Sequence, residues 1–490
     1  MRDPGAQLAR WALFSLRPYG LFSGIRPPTL TLNKPSFLSG RFSGSFTPAA
    51  RHPQPSYLGP ADHSTVLRGE LKTEPRHQFL ISALDIVFIA IVCSIIAIKI
   101  RESSNLYIFI IVTSLVYAVA AVATRKARGG GIRPTVMDLS LFFVVLVEAV
   151  SYAKSTYLPN SLTGLEDVIF LFLFYCLVRS GLRRDFQRTA IFVFLSLLGL
   201  WISSRALYSF WLHYRRLQAL GFTDLTDFKH LFGIVGSDGY STGERITTLL
   251  LFLPFPLMLL VRFRRHRAAK WVLLCPVLTI IAALSVSFSR AVYASIGAFF
   301  VIADLTFWRC RLFPMKTILR FNAVVLLVLI GVLAPVWKSV LTTAAIVGTN
   351  SQVRSIEGRG ETWRNSMEMA KRHPLYGIGA GNFPMQYDFY SESHSTLVLS
   401  SYDFFLQLLL EKGAVGLTAY VLTLAAFFWI SYKKLKRRNL SEFHTAIIAL
   451  SVTGCLAVLV RDLTFSSLLI NKGASVLLWF GFANTMNSET

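Results

Sequence analysis

Charge is what this sequence has least of. Only 16% of its 490 residues are Asp, Glu, Lys or Arg, against about 25% in soluble domains. The deficit falls in long apolar runs that recur from Phe79 almost to the C-terminus, which excludes an ordinary soluble globule. Alternation of polar and apolar residues is missing from runs such as 87–100. Strands of an outer-membrane barrel, about 10 residues long and alternating, are therefore excluded too. The five cysteines, Cys93, Cys176, Cys275, Cys310 and Cys455, include no CxxC pair, and all but Cys310 lie in apolar runs. Neither a disulfide framework nor a zinc site is expected. Acid is scarce, with 26 acidic against 50 basic residues and a formal net charge of +24. Such an excess first suggests nucleic acid. The basic residues sit instead in short loops between apolar runs, where they orient a membrane protein, so no nucleic-acid partner is expected.

What is present is a series of helix-length apolar segments. A hydrocarbon core about 30 Å thick takes about 20 apolar residues in a helix. Spans are predicted near 79–98, 106–123, 136–152, 168–178, 190–210, 246–261, 271–287, 291–307, 321–336, 404–430, 446–460 and 474–483, the fourth and twelfth being short. The fold class is all-α: a polytopic transmembrane helix bundle of about twelve spans. Basic clusters at 125–133, 179–188, 262–270, 309–320 and 433–438 fall in alternate loops, and the loops between them carry far fewer. All the basic loops then lie on one side, which makes both termini cytoplasmic. Two long loops, about 211–245 and 337–403, fall outside. Residues 1–78 are rich in Pro, Ser, Gly and Arg, with Asp3 the only acid before Asp62 and no apolar signal region. They read as a disordered cytoplasmic tail or an overextended gene start, with a transit peptide, also Arg-rich and acid-poor, as the alternative, ahead of a transmembrane domain at 79–490.

The loop 337–403, between spans nine and ten, is too long for a plain connector and carries its own helix signal. Trp363, Met367 and Ala370 share one face, with Arg364, Glu368 and Lys371 opposite. Pro374 and Gly377 end it. The spacing points to packing against the membrane domain. Within the spans, Asp85 and Glu148 each cost about 2.5–3.5 kcal/mol on insertion scales, so each needs a reason, for which an internal pair or a snorkelling contact is the plainest. Asp138 and Arg205 lie nearer span ends, where an internal pair or a snorkelling contact suffices. Arg290 follows Ser285-Val286-Ser287-Phe288-Ser289 at an outer hairpin. Its partner is a lipid phosphate or a bound diphosphate, and chemistry alone leaves both open. The run Gly377-Ile378-Gly379-Ala380-Gly381 reads as a tight turn ending the loop helix, or as a backbone nest for phosphate.

Three motifs carry a resemblance. One is Gly358-Arg359-Gly360-Glu361-Thr362-Trp363, followed by Met367 and by the run from His373-Pro374 through Gly377, Gly379 and Gly381-Asn382-Phe383. The second is Ser289-Arg290. The third runs from Leu406-Gln407 through Glu411, Gly413 and Gly416-Leu417. Together, over about 246–429 and in order, they resemble the O-antigen ligase and polymerase family. The resemblance implies a metal-independent glycosyltransferase without cofactor in a bacterial inner membrane. It would move a glycan from an undecaprenyl-diphosphate carrier, on the periplasmic face, to lipid A core, to another carrier-linked glycan or to a protein side chain. Besides this donor and acceptor, membrane lipids are the expected partners, and lipopolysaccharide biosynthesis is the expected setting.

The leaving group of that reaction is a lipid diphosphate, which gains negative charge as the glycosidic bond breaks. Preorganised cations stabilise it, and Arg290 and Arg359 match the family's phosphate-handling arginines. Trp363, Arg364 and Arg205 are candidate supporting residues. The family's base is a His eleven residues before the first glycine of the helix motif. Here Tyr402 stands in that place, followed by Asp403. His394 has the better unperturbed pKa, near 6.5; Asp403 ranks second, and Tyr402, because a phenol is a poor base at neutral pH, third. Two rival readings stay open: a transporter whose path is lined by Asp85, Asp138, Glu148, Arg205 and Asp462, and a family member that binds carrier lipid without catalysis.

Overall fold

The computed structural model describes residues 83–93, 134–220, 244–287, 289–334, 337, 350–387, 389–390, 398, 400–437, 439–463, 467–470 and 472–487. The predicted span at 106–123 and the tail at 1–78 lie outside the described residues. Every regular element among those described is helical. In chain order they are α1 (Ala83–Cys93), α2 (Val136–Ala153), α3 (Leu158–Gly181), α4 (Asp185–Ala219), α5 (Glu244–Phe252), α6 (Pro254–Arg262), α7 (Arg267–Ser285), α8 (Arg290–Arg309), α9 (Met315–Leu333), α10 (Asn350–Arg372), α11 (Phe383–Tyr387), α12 (Phe404–Lys436), α13 (Glu442–Asp462), α14 (Ser467–Ile470) and α15 (Lys472–Asn487).

Eight of these, α2, α3, α4, α7, α8, α9, α12 and α13, are long and apolar enough to cross a membrane. Helix also stands at three more of the predicted positions, α1, the α5–α6 pair and α15, in shorter form. The α5–α6 run breaks at Leu253 because Pro254 and Pro256 follow, and proline removes a donor and clashes with the preceding turn. The fourth span was expected at 168–178, but α3 starts ten residues earlier, at Leu158. Pro159 is tolerated in the first turn, where its missing N–H has no helical partner anyway. Asn160, Ser161 and Asp167 lower the hydropathy of that stretch without breaking the helix.

The core forms where four helices meet. The rings of Phe192 (α4), Phe255 (α6), Phe443 (α13) and Phe480 (α15) interlock, with centroids 5.6 to 6.3 Å apart. Tilted and edge-on pairs of this kind suit the aromatic quadrupole. Around this centre α13 packs on α8 and α6, α12 on α2, α15 on α3, and α4 on α7. Outward faces stay apolar: α9 buries Ile318 and Val325 but exposes Leu319, Leu326, Leu327 and Ile330, as a lipid-facing helix should.

Several charged groups inside the bundle are partnered. Lys434 Nζ donates to the carbonyls of Thr485 and Met486 at 2.9 and 3.0 Å. Arg188 Nη2 donates to the Asn487 carbonyl at 2.6 Å. Two cations thus satisfy the last carbonyls of α15, where the helix dipole is negative. The carboxylate of Asp138 pairs with Arg179 and accepts the Tyr175 hydroxyl at 2.9 Å. Glu148 pairs with Lys412. Of the two expected roles, an internal pair or a snorkelling contact, the internal pair is the one found for Asp138 and Glu148.

Candidate functional site

The large loop contributes α10, which lies along the start of α12. Its orientation differs from the expected one. Thr362, Ser366, Met369 and Ala370 are buried, whereas Trp363 and Met367 are 41% and 46% exposed. Of the predicted packing face only Ala370 points inward. Small Thr362, Ser366 and Ala370 let the helix approach closely, and Met369 fills a local core with Ile378, Phe383, Tyr387 and Leu410. Side-chain size has outweighed hydropathy in choosing the face.

After α10 the chain turns at His373–Pro374 and inserts its glycine run into a break in α12. Gly413 lies inside that helix with φ +65° and ψ −170°, so the helical ladder is interrupted there. The loop supplies the missing partners. Ile378 and Gly379 donate to the carbonyls of Leu410 and Glu411, each at 2.9 Å, and the amides of Ala414 and Val415 donate to Pro374 and Leu375 at 2.8 and 3.2 Å. Gly377, at φ +68°, takes a left-handed conformation that glycine adopts without steric cost. The hairpin between α2 and α3 holds the other side: Ser161 Oγ donates to the Ala380 carbonyl at 3.1 Å, and Asn382 Nδ2 to Ser155 Oγ at 2.8 Å. The amides of Ile378 and Gly379 are therefore spent on α12. The glycine run is a structural joint, and the tight-turn reading describes it better than the phosphate nest.

This joint fixes the end of α12 against α10. The Arg359 guanidinium lies 5.4 Å from the centre of the Tyr402 ring, so the loop arginine meets the residue just before the N-cap of α12. Tyr402 has φ +58°, a left-handed backbone that costs a non-glycine residue about 1–3 kcal/mol and persists only where its surroundings hold it. Asp403 is the N-cap of α12, its Oδ1 accepting the Leu406 amide at 2.7 Å. Ser401 Oγ donates to the Asp403 carbonyl at 3.0 Å, and the Ser401 amide donates to Gln407 Oε1 at 2.7 Å.

Gln407 carries the network inward, its Nε2 donating to Glu411 Oε1 at 2.6 Å. Beside Glu411, Lys412 pairs with Glu148 and lies 5.4 Å from the Tyr420 ring centre. Glu148, Glu411 and Lys412 are all buried. Glu411 and Lys412 border a cavity of about 310 Å³ between α2, α3, α12 and α15. Gln407, Glu411, Lys412 and Asp167 give it a polar wall; Leu141, Phe170, Leu424, Trp479 and Phe482 make the rest apolar. Sequence reading quoted Glu411 in a motif but did not place it at a site. The signal was available: two adjacent charges, Glu411-Lys412, inside an apolar helix of 33 residues carry the same insertion cost that singled out Glu148.

The other predicted residues with described positions lie on α4, α8 and α10. Arg290, half-buried, is the first residue of α8, after the N-cap Ser289. Tyr293 Oη donates to the Ser285 carbonyl at 2.9 Å and ties that hairpin together. Arg364 is exposed on α10 beside Trp363. Arg205 is exposed on α4, its guanidinium 5.9 Å from the Trp201 ring centre. His394 lies outside the described residues.

Residues 275–421 match the family model described as O-antigen ligase. No curated protein matches the chain. The matched stretch contains Arg290, the α10 arginine, the glycine joint, Tyr402, Asp403 and the Glu411–Gly413 segment.

Proposed function

On the premise that this chain is an O-antigen ligase family protein through residues 275–421, we propose that it transfers a glycan from an undecaprenyl-diphosphate carrier to an acceptor hydroxyl at the periplasmic face of a bacterial inner membrane. The observation that carries this reading is the Arg359–Tyr402 contact. It sets a permanent cation beside the segment where the family keeps its proton acceptor, at the end of a helix whose next turns line a partly polar, partly apolar cavity. An amphiphilic donor with an anionic head suits such a place.

In the reaction proposed, the acceptor oxygen attacks the anomeric carbon and its proton passes to a protein base. The bond from that carbon to the diphosphate oxygen breaks, and the diphosphate leaves with the electron pair. Arg359 and Arg290 stabilise the charge that develops on it. The proton acceptor is drawn from His394, Asp403 and Tyr402, in the order of the sequence ranking, and Glu411 joins them as a carboxylate bordering the cavity. Trp363, Arg364 and Arg205 remain supporting candidates. The acceptor is lipid A core, with a second carrier-linked glycan, as in a polymerase, the alternative.

Two observations weigh against a transporter. Asp138 and Glu148, which would line its path, are engaged with Arg179 and Lys412. Asp462 Oδ2 accepts the Leu468 amide at 2.8 Å and anchors α14. Deletion of the gene in its host, followed by lipopolysaccharide profiling, tests the reading. Uncapped core with accumulated carrier-linked glycan supports a ligase, and loss of chain length with capping retained supports a polymerase. An unchanged profile of lipopolysaccharide and of other surface glycans rejects both.

A further inference from the structure

A second cavity, of about 530 Å³, lies where α6 ends, α7 begins, α8 ends and α9 begins. It is at the opposite membrane surface from Tyr402. Arg264 in its wall pairs with Glu442 at 2.7 Å, and Glu442 opens α13 just after α12 has crossed from Tyr402 to Lys436. The cavity is therefore separate from the proposed transfer site.

Its lining is divided in character. Leu260, Phe307, Phe313 and Phe321 form an apolar wall, and Arg264, Arg265 and Lys270 stand at the same cavity. Arg264 is committed to Glu442, and its Nη1 donates to the Leu312 carbonyl at 3.4 Å. Arg265 and Lys270 are exposed, and neither has a carboxylate partner among the described residues. The single acid in the lining, Asp304, accepts the Asn322 amide at 2.6 Å. It sits five residues before the end of α8, about 7.5 Å deeper by helical rise. Arg265 and Lys270 are exposed, whereas Phe307 is buried and Leu260, Phe313 and Phe321 are partly buried, so the charge faces solvent and the apolar surface lies behind it.

We propose that this cavity binds an anionic diacyl phospholipid of the leaflet that borders the basic loops. Its phosphate would rest on Arg265 and Lys270, and the upper part of an acyl chain against Leu260, Phe307, Phe313 and Phe321. A free phosphate would use the cations and leave the apolar wall wet. A zwitterionic lipid would cover the wall but set its own cation against two others. The basic-loop surface is the cytoplasmic one by the orientation rule, and that leaflet attracts juxtamembrane cations through its anionic lipids. The site is independent of the transfer reaction.

The test uses the full chain in a neutral detergent, with lipid binding read by native mass spectrometry and by thermal shift. Dioleoyl-phosphatidylglycerol is expected to bind and to raise the melting temperature, and dioleoyl-phosphatidylcholine at the same concentration to bind about tenfold more weakly or worse. Inorganic phosphate alone is expected to have no effect. The double variant Arg265→Gln/Lys270→Gln is expected to lose about tenfold or more in phosphatidylglycerol affinity. Lys316→Gln/Arg320→Gln, which removes two exposed cations of the same surface outside the cavity, is expected to keep it. Equal binding of the two lipids, equal losses in the two double variants, or a shift produced by phosphate alone would each overturn the proposal.

Discussion

Lys412 of α12 and Glu148 of α2 form an ion pair in which both residues are buried, 3% and 1% exposed. Removing one partner from such a pair typically costs about 3–5 kcal/mol, because the other charge is left in a low-dielectric interior; replacing both with apolar residues is often near neutral. Glu148→Gln is therefore expected to lower the melting temperature in detergent markedly, and Glu148→Leu/Lys412→Met to recover most of the loss. A single variant as stable as wild type would show that the pair is not holding α2 to α12.

The joint at Gly413 makes a second prediction. A side chain there would be strained at φ +65° and would meet the Leu375 backbone. Gly297, within α8, has open space where a Cβ would go. Gly413→Ala is expected to destabilise by more than about 2 kcal/mol and to loosen α10 from α12, seen as faster amide exchange in both. Gly297→Ala is expected to be neutral or to stabilise by up to about 1 kcal/mol, the ordinary helix preference. Similar effects at the two positions would contradict the structural account of the glycine motif.

The acceptor step can be dissected because Asp403 has a structural duty as well. Asn caps a helix about as well as Asp, so Asp403→Asn should keep α12 intact while removing the carboxylate. Tyr402→Phe keeps the ring against Arg359 and removes the hydroxyl. The ranking predicts that His394→Ala reduces transfer at least about 100-fold, the usual scale of general-base catalysis, with Asp403→Asn and Tyr402→Phe less damaging. A large loss in Asp403→Asn or Glu411→Gln alone would move the role to that carboxylate.

The helices were readable because burial in lipid leaves few alternatives: apolar runs must be helical to satisfy their own backbone, and the charges within them must find partners. Glu148 announced a partner in this way, although not which one. Lys412 escaped notice because it sits in a motif read for its glycines. The packing face of α10 was misread because hydropathy favoured Trp363 and Met367, whereas close approach to α12 favoured Thr362, Ser366 and Ala370. The Arg359–Tyr402 contact joins residues far apart in sequence through a joint of left-handed glycines, and no local periodicity encodes it.

The basic loops predict the orientation. Reporter fusions after Arg267 and after Lys434 are expected to read cytoplasmic, and one near Gly348 periplasmic. A cytoplasmic signal near Gly348 would put Arg359 on the wrong side of the membrane for the proposed chemistry.

The most direct measurement is glycan transfer by the purified chain in proteoliposomes, from an undecaprenyl-diphosphate-linked donor to lipid A core, with wild type beside Arg359→Lys, Arg290→Lys and their double variant. Lysine keeps the charge and loses the bidentate fork. The account predicts transfer by wild type, near-abolition in each single variant, and a double variant hardly worse than either, because two groups acting on one diphosphate are not additive. Wild-type transfer that persists unchanged in Arg359→Lys would contradict the claim that this arginine, set against Tyr402, handles the leaving diphosphate.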